Sequence, residues 1–281
     1  MGFRGIFAAS LMLWGTAFAG TLEPAKEVAG PTLKQVSSDG KTVCSTDVVD
    51  GIQLKWCTQN SAEFDHTRVL WHLHGLNEAV DSFPTSSTYA AIKATWRGVY
   101  GLKPPVLITV SFGTSWTLSD LPSQHVAGHP VLYAFFVDRL IPYLERKLVG
   151  PTPPAQRWLV GRSMGSYNSS LLLERNPGLW NKVVLGCPAL FTITPFSTSA
   201  DRDAYVARNV NSTRNAVDFG LRILGLDEPT LDAWLRNDPL GPLLLPALTR
   251  TLPPVFVWFN QADTYGFAEG ARALKTAPLL Q

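Results

Sequence analysis

The sequence predicts an α/β protein: a mostly parallel sheet with helices on both faces. Two observations carry that expectation. From Val69 onward, short apolar runs alternate with longer segments of helical pattern, the alternation that builds a parallel sheet covered on both sides. The 281 residues are 46% hydrophobic and only 16% charged, enough for a sizeable core and far from a disordered composition. The formal net charge is +2, from 24 basic and 22 acidic side chains with no long run of either sign. A nucleic-acid partner needs a concentrated basic face, and none is visible, so none is expected.

Taken in order, the chain opens with Met1-Gly2-Phe3-Arg4, an apolar run from Gly5 to Phe18, and Ala17-Phe18-Ala19 before Gly20. A basic start, a short apolar stretch and an Ala-x-Ala site describe a secretory signal peptide over residues 1–19. The run is short for a bilayer span and no cysteine follows the cleavage site, so no stable membrane anchor is expected. The mature protein is expected to begin near Gly20 and to be secreted or periplasmic.

Next come Val43 to Val49 and Ile52 to Cys57, separated by Asp50-Gly51, a strong two-residue hairpin signal. In that register paired positions sum to 101, so Cys44 faces Cys57. Pairs alternate outward from the turn, which puts these two cysteines on a close, non-hydrogen-bonded pair that accommodates a disulfide. An exported protein favours that bridge, and Cys187 is expected to remain a free, buried thiol.

Strand candidates follow at 69–73, 105–111, 157–160, 183–186 and 255–259, with helices expected over 89–96, 133–148, 166–175 and 267–274. The 133–148 stretch places Phe136, Leu140, Tyr143, Leu144 and Leu148 on one stripe. Residues 196–252 break the rhythm with short helical patterns and no strand, and read as a helical cap inserted over one end of the sheet. No internal repeat or linker divides residues 20–281, so one domain is expected.

Gly161-Arg162-Ser163-Met164-Gly165 fits the pattern G-x-S-x-G. Chance alone would produce about 0.12 such matches in a chain of this composition, so the bare pattern is only moderately specific. Its setting is more telling, because it lies directly between a strand and a helix, where small flanking residues let a strained turn lift the serine hydroxyl above the sheet. An oxyanion site beside it needs two backbone N–H groups. Met164 follows the serine, and His74-Gly75-Leu76 follows an earlier strand, which makes the Leu76 N–H the other donor. His72 and His74 themselves read as structural, and two histidines two apart, with no cluster of carboxylates or cysteines, do not make a metal site. Neither metal nor cofactor is expected.

From about Val69 to Leu274 the chain resembles the α/β-hydrolase superfamily, and more closely its esterase D-like branch. The resemblance rests on His72 to Gly75, Phe136 to Glu145, Val160 to Tyr167, Asn176-Pro177, Cys187 to Leu190 and Asn260 to Asp263. It implies a serine esterase or thioesterase, with feruloyl-esterase and acyltransferase branches among its kin. Ser163 would be the nucleophile and Asp263 the acid of a Ser–Asp–His triad, in the chain order of this fold. Asp238, before Pro239, is the weaker acid candidate. The substrate would be a small-molecule or carbohydrate-linked ester.

The triad's histidine is the departure. His66, His72, His74, His125 and His129 all precede Ser163, whereas the family places its base on a loop after one more strand beyond the acid. A lone serine hydroxyl is a poor nucleophile. Three readings stay open. The leading one is a sequence that lacks the C-terminal strand, helix and histidine. The others are a catalytically inactive binding protein and a base recruited from His125 or His129. Trp96, Trp116, Trp180 and Trp234 could line a cleft for sugars or aromatic acyl groups in the binding reading, although most such tryptophans are core.

Overall fold

The computed structural model describes residues 35–36, 41–244 and 251–276; the expected signal segment 1–19 lies outside them. The chain begins its sheet with β1 (Gln35–Val36), laid against β2 (Val43–Val49). β2 returns as β3 (Ile52–Gln59) through Asp50 and Gly51, whose φ angles of 49° and 82° are those a tight hairpin demands. Val49 faces Ile52 and Cys44 faces Cys57, the expected register, and the two cysteines form a disulfide with Cα atoms 4.0 Å apart.

The parallel part follows as β4 (Asp65–Leu73), α1 (Ser87–Gly98) and β5 (Pro105–Ser111). Then come α2 (Leu132–Ala134), α3 (Ile141–Leu148), β6 (Gln156–Arg162), α4 (Met164–Arg175) and β7 (Lys182–Gly186). Four helices occupy the insertion: α5 (Ser199–Arg208), α6 (Arg214–Gly225), α7 (Leu231–Asn237) and α8 (Leu240–Leu244). β8 (Val255–Trp258) and α9 (Phe267–Lys275) complete the described chain. The sheet runs β1-β2-β3-β5-β4-β6-β7-β8, with β5, β4, β6, β7 and β8 parallel and the first three strands antiparallel to their neighbours. No helix among the described residues is long and apolar enough to cross a membrane.

Local chemistry sets the helix starts. Ser86, Thr198, Thr213 and Thr230 each stand in extended backbone and accept a first-turn N–H with the side chain, which satisfies a donor the helix itself leaves over. The stretch expected as one helix over 133–148 is instead three pieces, with a π-helical segment at Phe135–Leu140. Pro142 explains it. Proline has no N–H to donate and its ring would meet the carbonyl four residues back, so the helix widens before it. The Ile141 N–H accordingly reaches five residues back, to the Phe136 carbonyl. α3 is then fixed to β6 by a partly buried ion pair, Glu145 accepting from Arg157 Nε and Nη2 at 2.8 Å each.

One further expectation needs correction. Cys187 is free but half-buried, at φ 45° in a turn after β7, rather than fully buried. Trp116, Trp180 and Trp234 are core residues with almost no exposure, because each fills space between packed elements. Trp96, by contrast, stacks on Trp158 at 5.4 Å on the α1 side of the sheet and borders a groove there.

Candidate active site

Ser163 occupies the single residue between β6 and α4. Its backbone stands at φ 52° and ψ −116°, a region that side-chain-bearing residues rarely visit. The turn is over-determined. The Ser163 N–H donates to the Gly186 carbonyl at 2.9 Å, and the Ser163 carbonyl accepts from Ser166, Tyr167 and Ala189 N–H. Ser166 Oγ donates to the same Gly186 carbonyl. The flanking glycines have a steric reason. A Cβ on Gly161 would run into the Gly165 carbonyl and Ser169 Oγ, and one on Gly165 into the carbonyls of Leu73 and His74. β4 and α4 therefore approach to backbone contact, and that contact brings the loop after β4 over the serine.

That loop supplies Leu76. Asn77 N–H donates to the Thr114 carbonyl at 2.9 Å, and Gly75 N–H to Glu78 Oε2 at 2.8 Å. Among the described residues no acceptor takes the Leu76 or Met164 N–H, and Ser163 Oγ makes no hydrogen bond. Met164 is held from behind, its sulfur accepting the Trp116 N–H at 3.5 Å. Leu76, Ser163 and Met164 border one cavity of about 310 Å³. Asn77, Glu78 and Arg162 border it too, and its apolar wall comes from α6, through Phe219, Gly220, Ile223 and Leu224, with Tyr265 and Phe267 beyond β8. These apolar wall residues escaped sequence reasoning. The amphipathic pattern of α6 was the only signal, and it does not say which chamber the helix roofs.

His74 lies buried behind the loop. Trp116 Nε1 can only donate, and it points at His74 Nε2 from 3.2 Å, so Nε2 is the acceptor and Nδ1 carries the proton to the Gly75 carbonyl at 2.7 Å. Burial lowers its pKa from the usual histidine value, which keeps it in that neutral form. His72 stacks on Phe83 at 4.2 Å on the opposite face, and burial, with lesser repulsion from His74 and Arg162, takes it down to about 3.

Asp263 stands half-buried after β8, two residues before the cavity-lining Tyr265. Its carboxylate accepts the N–H groups of Tyr265 at 3.1 Å, in the loop before α9, and of Ala268 at 3.3 Å, in the first turn of α9. Asp238 accepts the Leu240 N–H at the start of α8, and burial lifts its pKa to about 6. None of the five histidines is among the residues lining the cavity. His129 bonds the Ser123 carbonyl, and His125 Nε2 is buried without a partner in the same loop.

No family model and no curated protein matches the chain. Among solved structures it is similar to a ferulic acid esterase, at 14% identity over 84% of each chain with a TM-score of 0.60. An S-formylglutathione hydrolase from Agrobacterium tumefaciens matches at 12% identity over 85% of this chain and 84% of that one, with a TM-score of 0.54. An esterase of Pyrobaculum calidifontis matches at 17% identity over 85% and 72%, with a TM-score of 0.52. At such identities the likeness is one of fold, and with the sheet order above it makes the architecture an α/β-hydrolase fold.

Proposed function

We propose that the protein is an exported hydrolase of carboxylic esters that works through Ser163. The observation that carries this reading is the Ser163 backbone, held at φ 52° between two sterically required glycines with its side chain on the wall of a cavity of mixed polar and apolar lining. Backbone strain of that kind costs about 1–3 kcal/mol and persists only where the surroundings impose it. In the proposed reaction Ser163 Oγ bonds to the ester carbonyl carbon. The carbonyl oxygen becomes an oxyanion, accepting from the Leu76 and Met164 N–H groups. The hydroxyl proton passes through a base to the departing alcohol as the C–O bond breaks. Water then attacks the acyl-serine by the same route and releases the acid. The apolar wall from α6 favours an ester with an aliphatic or aromatic acyl group, carbohydrate-linked esters included. The Cys44–Cys57 bridge supports export to an oxidising compartment.

The base in this reading is a histidine oriented by Asp263, and no described histidine is in place there. The alternative reading is a protein that keeps the cavity for binding without turnover. A fluorophosphonate probe separates the two. The hydrolase reading expects covalent labelling of Ser163 and none in Ser163→Ala. A folded protein that binds aryl esters yet neither turns them over nor takes the label belongs to the second reading.

A further inference from the structure

The loop after β4 is folded around one carboxylate. Glu78 Oε2 accepts the Gly75 N–H at 2.8 Å, and the Glu78 N–H donates back to the Gly75 carbonyl at 3.2 Å. The fit is close, since a Cβ on Gly75 would lie 3.2 Å from the Glu78 carboxyl carbon. The other oxygen, Oε1, lies 2.5 Å from Nη1 of Arg162, the residue before Ser163. One side chain thus grips the residue before Leu76 and the residue two before Met164.

The Gly75 carbonyl and the Leu76 N–H belong to one planar trans peptide and point in opposite directions. Whatever fixes that carbonyl aims that N–H. His74 Nδ1 and the Glu78 N–H both donate to it, while the Glu78 carboxylate holds Gly75 from its other side. Resting on the hydrolase reading above, we infer that Glu78 is a positioning residue for the oxyanion site. Its two oxygens set how far the Leu76 N–H stands from the Met164 N–H. The Arg162 partner has a second task, because a bare carboxylate beside a developing oxyanion would repel it, and the guanidinium offsets that charge. Stability is a poor explanation for the pair. Arg162 is 62% exposed, and surface ion pairs contribute little.

The test compares Glu78→Ala, Glu78→Gln and Arg162→Gln with the unaltered protein, using an aryl ester and the amide resonances of Leu76 and Met164. Glu78→Ala is expected to lower kcat by about 10²-fold, the scale of losing one oxyanion donor, with KM changed by less than about threefold. Glu78→Gln keeps an acceptor for the Gly75 N–H and is expected to recover most of that loss. Arg162→Gln is expected to lower kcat with KM held, since it leaves the carboxylate uncompensated. Leu76 and Met164 resonances should move in Glu78→Ala and return toward their original positions in Glu78→Gln. Unmoved resonances, or a kcat within about threefold in Glu78→Ala, overturn the inference, as does an equal loss in Ala and Gln accompanied by unfolding. If the unaltered protein neither turns over ester nor labels at Ser163, the hydrolase reading fails by itself, and the resonances still decide whether Glu78 orders the two N–H groups.

Discussion

The two faces of the sheet are made by neighbouring residues of the same strands, yet they differ. On one face Val69, Trp71 and Leu73 of β4 join Leu159, Val183 and Leu185 with α3, α4 and α9 in the main core. On the other, Leu70, Leu107 and Trp158 meet α1 and the Phe83 loop in a much smaller cluster. Beside that cluster a groove of about 1050 Å³ runs past Trp96 and Val184 to Phe256 and Trp258, which are 60% and 55% exposed. Side chains alternate sides along a strand, so an apolar run reports burial without saying what buries each face. The serine turn is built on the first face, where backbone meets backbone at Gly161 and Gly165, while Gly161, Arg162 and Glu78 also border the groove on the other side.

The sharpest way to break that separation is at the tight contact. Gly165→Ala would drive a methyl into the Leu73 and His74 carbonyls, and it is expected to cost at least about 3 kcal/mol, the upper end for an overpacked core, together with labelling of Ser163. Gly178→Ala is the control, since a Cβ there meets nothing within 4 Å, and should stay within about 0.5 kcal/mol. Denaturant titration of the two variants reads the difference. A mild effect at Gly165 would mean that β4 and α4 can part without disturbing the serine.

What was legible in the sequence follows the same division. The hairpin register and its disulfide could be read because Asp50-Gly51 fixes the turn, and a fixed turn fixes every pair outward from it. Ser163 could be placed because its chemistry is local, a strand, a strained residue and a helix in direct succession. The cavity wall could not, because Phe219, Ile223 and Leu224 reach Ser163 only through the packing of an inserted helix. Pro142 was visible, but its effect was a widened turn over Phe135–Leu140 in place of a helix end, a choice that tertiary packing makes. Composition alone could not say which tryptophans are core: Trp116, Trp180 and Trp234 are, whereas Trp96 borders the groove.

A smaller effect is expected from pH, and it arises on the α1 face. His72 is buried and neutral with a pKa down at about 3, against an ordinary value near 6.5. The unfolded chain therefore binds a proton that the folded one refuses. Stability is complete above about pH 6.5 and falls as the pH drops through the window from 6.5 to 3, with a loss of about 2 kcal/mol between pH 7 and pH 5 from this residue. His74 shifts in the same direction and adds to the slope. His72→Leu should flatten the dependence of the unfolding midpoint on pH by up to about 1.4 kcal/mol per pH unit, measured by denaturant titration at a series of pH values. An unchanged slope would mean that His72 keeps its proton in the folded state, which its place against Phe83 does not accommodate.

The smallest expected effect sharpens the comparison most, because it tests whether the open face is open. Trp71 has no exposure and lies edge-on to Phe136 at 5.7 Å, so Trp71→Ala should cost about 3–5 kcal/mol. Phe256 lies on a strand paired on one side only among the described residues, and its ring faces the groove. Phe256→Thr keeps a residue suited to a strand and removes only exposed apolar surface, so it should stay within about 0.5 kcal/mol. It should also lower any concentration-dependent association, since an exposed apolar patch beside an unpaired strand edge invites pairing. Thermal melting of the two variants, with light scattering across protein concentration, reads both effects. A loss at Phe256 as large as at Trp71 would mean that its ring is covered in the folded protein, and the two faces would then differ in what covers them rather than in whether they are covered.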